Sequence, residues 1–168
     1  MKILLSTRQE YFFFHSNFYW LDIIYMCTLE VKELQTIMNN EKRQELIFKL
    51  KAARENYMNS STFGESFSEP YKAKAEWEQL KNEAIGPLIS TAITVLAPKY
   101  GRDELVAHLR KTTDVFDPVV REVANTAFGD DPYAFGVDAV VVGKEATEML
   151  LAKLVVDHYD RSIAELFQ

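Results

Sequence analysis

Near its end the chain carries apolar residues at the spacing of an α-helix. Met149, Ala152, Val156, Tyr159, Ile163 and Leu166 follow one another by three, four, three, four and three. With 3.6 residues to a turn, such steps line up on one face, which must be covered by other structure. This predicts a helix over about 144–166. Leu150, Leu151 and Leu154 fall off the stripe, on the other side of the first turns. A helix that is apolar on two sides is packed on two sides. Either it runs through the middle of a bundle or it offers one side to another chain.

Upstream, the same period recurs between Gly and Pro punctuation. Asn40 can cap a helix whose inner face is Leu46, Leu50, Ala53 and Tyr57, with Lys49, Lys51, Arg54 and Glu55 in water. The small polar run 59–69 should end it. Ser68 caps the next helix, Pro70 suits its first turn, and Ala73, Trp77, Leu80 and Ala84 face inward. Gly86-Pro87 is expected to kink or split that helix, since Pro87 removes a donor and crowds the preceding turn. The almost wholly apolar run Leu88 to Leu96 continues it as a central, buried segment, which Pro98 and Gly101 should stop. Two shorter helices follow. One presents Leu105, Val106 and Leu109, and the other begins at the cap Asp117-Pro118 and runs through Val119, Val120, Val123, Ala124 and Ala127 to Gly129. Val140-Val141-Val142 reads as a buried extended stretch or a helix lead-in. The expected fold is all-α, a single compact bundle of five or six helices with a Gly-Pro kinked central helix. Its core should include Trp77, Leu80, Ile89, Ile93, Leu96, Val123, Val156 and Tyr159.

The first 37 residues differ from the remainder. Eight of the chain's 21 aromatic residues fall between Tyr11 and Tyr25. A secretory signal would need an aliphatic core and a small-residue cleavage site, and neither is present. A membrane span would need about twenty predominantly apolar residues, whereas His15, Ser16, Asn17 and Asp22 interrupt this stretch. The expected organisation is an aromatic-rich segment 1–37 and a helical domain 38–168. Met38 (less favourably Met26) is then the native start and residues 1–37 spurious upstream translation, the alternative being an unusual aromatic arm.

Charge is unevenly placed in a chain of net charge −6. Residues 38–128 hold thirteen Lys/Arg and thirteen Asp/Glu, while residues 129–168 hold three against eight. No segment forms the basic stripe that displaces counterions from phosphates, so nucleic acid is not an expected partner. The acidic end could instead attract a basic protein surface. One cysteine, Cys27, leaves no internal disulfide and no Cys-based zinc site, which points to a reducing, cytoplasmic setting.

Chemistry finds little purchase. Glu104 and His108 lie four apart on one helix, where pairing with each other and with the helix dipole accounts for them. His158 is flanked by Asp157 and Asp160 and falls on the polar side, opposite Val156 and Tyr159. The Glu-x-x-His spacing of di-iron bundles and His-Glu-x-x-His are both missing. Asp130-Asp131 is read as turn chemistry, with no Lys or Arg after it before Lys144. Glycine-rich phosphate loops and a Gly-x-Ser-x-Gly elbow do not occur. Phe63 and Phe67 stand out in a polar loop, either tucked over the bundle or serving as anchors. By elimination the chain reads as a small intracellular protein-binding or regulatory module acting through an acidic C-terminal helix. Its contact residues are Phe63, Phe67, Leu151, Leu154, Asp157 and Asp160, its partner another protein or a second copy, with no cofactor, nucleic acid or membrane. The alternative is a small metal-dependent enzyme using Glu104, His108, Asp157 and His158.

Overall fold

The computed structural model describes residues 40–60 and 68–166, and of these the side chains of 40–60 and 69–160. The chain divides into two units between Met38 and Asn39, and the described residues all belong to the second. Segment 1–37 with Cys27, the proposed start Met38, Phe63, Phe67 and the side chains of Ile163 and Leu166 lie outside them.

Every regular element among the described residues is helical. Helix α1 covers residues 40–60, α2 Ser68–Tyr100, α3 Arg102–Lys111, α4 Pro118–Phe128, α5 Ala139–Val142 and α6 Lys144–Leu166, with a 3-10 turn at Pro132–Phe135 between α4 and α5. The bundle is all-α, as its periodicity predicts. Helix α2 meets α3, α4 and α6, and α6 meets α2, α3, α4 and α5, so both run through the middle.

Helix α1 buries Ile47 and Leu50, with Leu46 packed at the margin. Asn40 is already helical, so it is not the cap. Arg54, expected in water, is half-buried with its guanidinium over three rings, 4.6 Å from the Trp77 centroid, 5.2 Å from Tyr133 and 5.3 Å from Tyr57. Its Nε and Nη1 are buried with no hydrogen-bond partner among the described residues, so the ring faces supply the attraction that holds the cation there.

Helix α2 runs unbroken through Gly86-Pro87 and Pro98, and is neither split at the first nor stopped at the second. Its apolar segment is central as expected: Leu88, Ile89, Ala92 and Ile93 are buried, whereas Leu80 is only half-buried. The stop comes at Gly101, where φ is +78°. That angle is open to glycine and disfavoured for other residues. The Gly101 amide closes α2 on the Ala97 carbonyl, and its own carbonyl accepts from Leu105 to open α3. Beside this corner Lys99 Nζ reaches both carboxylate oxygens of Glu122 at 2.7 Å, joining the end of α2 to α4.

The Asp117 cap is present. Its Oδ1 accepts from the Val119 and Val120 amides at 2.9 and 3.0 Å, and Oδ2 lies 3.0 Å from His108 Nε2. Partial burial pushes this carboxyl up, but the Val120 amide, the His108 ring and the Val119 amide together outweigh it and hold it below the ordinary aspartate value. A lowered folded value means that the stabilisation is full above the unfolded value, about pH 4, and is lost as pH falls through the folded one. Asp117→Ala should cost about 0.5–2 kcal/mol at neutral pH. Urea titrations of both proteins should show that gap closing in acid.

Two local expectations are corrected. The loop after Gly129 gains its cations from far away in sequence. Arg43 pairs with Asp130, Lys51 Nζ sits 2.9 Å from Asp131, and Gln44 donates to Asp130 at 2.7 Å. These contacts fasten α1 to the loop and account for both acids. The three valines 140–142 are a helix lead-in and not a buried stretch. Asp138 caps them through the Val140 and Val141 amides, and Val140 is 94% exposed.

Candidate functional site

Helix α6 uses both of its apolar sides within this chain. Ala152, Val156 and Tyr159 of the stripe are buried, and so are Leu151 and Val155 beside them. Those five positions merge into one broad face, which a central helix needs and a peripheral one does not. Leu151, expected as a contact residue, is 1% exposed and belongs to the core. Leu154 is half-buried against that core. Asp157 is half-buried and takes a 2.7 Å bond from Lys153, while Asp160 is exposed. Among the described residues expected as contacts, Leu151, Leu154, Asp157 and Asp160, only Asp160 stands fully on the surface.

The open apolar surface lies at the other end of the helix. Val140, Val141 and Val142 are 94%, 78% and 41% exposed, and Leu150, two turns into α6, is 44% exposed. Asp138, Lys144 and Glu145, near them in sequence, are exposed as well. Gly143, with φ +81°, closes α5 and begins α6. Sequence reading missed this patch because three adjacent β-branched residues resemble a strand or core segment. The Asp138 cap and Gly143 stop, two signals of a very short helix, were both available.

The candidate catalytic residues do not converge. His108 pairs with Asp117 at 3.0 Å and not with Glu104, which is exposed. His158, expected in water, is half-buried, its ring edge-on to Tyr159 with centroids 5.3 Å apart. Among the described residues no three His, Cys, Asp or Glu side chains gather as a metal ion requires. No helix among them is long and apolar enough to cross a membrane.

Among the described residues, three surface depressions stand out. A broad groove of about 550 Å³ runs along α4 beside Phe116. Its charged groups are engaged, Arg121 with Glu148 and Glu122 with Lys99 and Tyr100. Two clefts of about 270 Å³ flank His158, one toward Lys81 and Asp157, the other between α2, α3 and α6.

No family model, curated protein or solved structure matches this chain.

Proposed function

We propose that this domain is a protein-binding module whose contact surface is α5 with the first turns of α6. The observation that carries this reading is the three-valine helix. A four-residue helix adds none of its residues to the core, yet it holds Val140 and Val141 almost fully in water between a cap and a glycine stop. Clustered exposed apolar side chains mark interaction sites. Val140 and Val141 are the apolar anchors, flanked in sequence by the exposed Asp138, Lys144 and Glu145, with exposed Leu150 further along α6. The partner that fits is a protein surface with an apolar pocket edged by Lys or Arg, because charge on the rim speeds encounter while buried anchors supply affinity. Residues 129–168, with eight Asp/Glu against three Lys/Arg, extend the same field. That excess also argues against nucleic acid as the partner, and the single cysteine suits a cytoplasmic setting.

The sequence placed the α6 part of the surface at Leu151, Leu154, Asp157 and Asp160; in this proposal it moves to α5 and the first turns of α6. The test is a double variant, Val140→Ser with Val141→Ser, compared with the original chain. Both residues are solvent-facing, so the thermal midpoint should stay within a degree or two of the original. Capture of a defined partner should be lost with the double variant and weakened by high salt. If sedimentation shows the purified chain dimerising through these valines, the partner is a second copy. Equal capture by both proteins would put the contact surface elsewhere.

A further inference from the structure

We propose that the cleft between α2, α3 and α6 binds a small organic phosphate through Arg102 and Arg110. These residues sit with Val106 at steps of four, hence on one face of α3, and all three line the cleft. Facing them are His158 and Tyr159 of α6. The floor comes from α2, where Gly86, Ile89, Ser90 and Ile93 also share a face. The volume, about 270 Å³, suits a small molecule.

The charge arrangement is what sets this cleft apart. Five arginines have described side chains. Arg43 and Arg121 pair with carboxylates, and Arg54 lies over its three rings. Arg102 and Arg110 have no carboxylate partner among the described residues, in a chain where Asp and Glu outnumber Lys and Arg by 25 to 19. They line the same cleft, and no described Asp or Glu lines it with them. The two side chains leave α3 about 12 Å apart on one wall, close enough for both to reach a single anion lying between them. A phosphate monoester carries close to two negative charges at neutral pH and matches the planar guanidinium fork, which a point-like ammonium does not.

Other groups complete the recognition. Burial pushes the Tyr159 hydroxyl above its ordinary value, and the nearby positive charge of Arg110 draws it back, so the hydroxyl stays protonated and able to donate. The Ser90 hydroxyl adds a second neutral donor. Ile89, Ile93 and Val106 give an apolar wall for the organic part, beyond what inorganic phosphate needs. Gly86 forms part of the floor beside His158, whose Cε1 would lie 3.4 Å from a Cβ there.

Phenyl phosphate is the probe, titrated into the full chain by calorimetry and by amide NMR. Expected are saturable binding tighter than that of inorganic phosphate or benzoate, and shifts centred on residues 102–110 and 158–159. Arg102→Gln and Arg110→Gln should each weaken binding about tenfold or more, since each removes a charge-assisted contact. Both side chains are exposed, so the unliganded midpoints should hold, and that measurement separates lost binding from lost folding. No saturable binding at millimolar probe would overturn the proposal, as would undiminished binding by the double variant. Benzoate binding as tightly as phenyl phosphate would overturn the assignment to phosphate.

Discussion

Leu151→Asp is expected to unfold the domain, whereas Leu150→Asp one residue earlier should leave it folded. The two leucines are chemically identical and adjacent, yet Leu151 is 1% exposed and Leu150 44%. An aspartate at 151 would lose the apolar burial and place a carboxylate among Val155, Ala152 and the rest of the core, where it must stay protonated or force the helices apart. Either cost amounts to several kcal/mol, comparable with the whole stability of a domain this size, about 5–15 kcal/mol. At 150 the carboxylate stays in water, and the change should fall within about 1 kcal/mol. Far-ultraviolet circular dichroism through a urea series reads both. A folded, cooperative Leu151→Asp protein would mean that α6 does not pass through the middle of the bundle.

Phe128→Ala should be the most damaging single truncation, at about 3–5 kcal/mol. Phe128 is fully buried at the end of α4 and meets Phe135 of the 3-10 turn edge-to-face, with ring centroids 4.9 Å apart. Removing the ring leaves a void and takes away the partner that holds Phe135 inside. Phe135→Leu keeps most of the volume and should cost less, about 1–2 kcal/mol. Chemical denaturation of both gives the ranking. If Phe135→Leu proved the worse, the junction would depend on the turn and not on the helix end.

Most helix positions, and the cap at Asp117, were legible in the chain because they depend on near neighbours. Asn40 and Ser68, expected as caps, are instead already helical. Asp117-Pro118 opens α4 through bonds to amides two and three residues ahead. The period that marks the inner faces of α2 and α6 is equally local. What was not legible depends on groups distant in sequence. Gly86-Pro87 reads as a kink or a split, and the helix is not split there. Leu88, Ile89 and Ala92, just past it, are buried, and burial of that kind outweighs one missing backbone bond. Asp130 and Asp131 take their cations from Arg43 and Lys51, about eighty residues earlier, and His108 takes Asp117 in place of Glu104. The candidate sites follow the same division. The two four-residue steps from Arg102 through Val106 to Arg110 were readable, but that they line one cleft with His158 and Tyr159 follows only from how α3 packs beside α6.

Trp77 joins three parts of the domain at once. Its ring stacks nearly parallel on Tyr57 of α1, 5.8 Å between centroids, and its Nε1–H donates to the Ala134 carbonyl of the 3-10 turn at 2.9 Å. Gly136 lets that turn approach, since a Cβ there would press to 3.1 Å of the indole. The consequence is optical. An indole this enclosed, with Arg54 and Lys81 cations each 4.6 Å from its centroid, emits in a medium unlike water. The chain's other tryptophan is Trp20. With Trp20→Phe, the fluorescence of Trp77 alone would report when α1 and the 3-10 turn leave α2, giving the domain a built-in gauge of its own first opening.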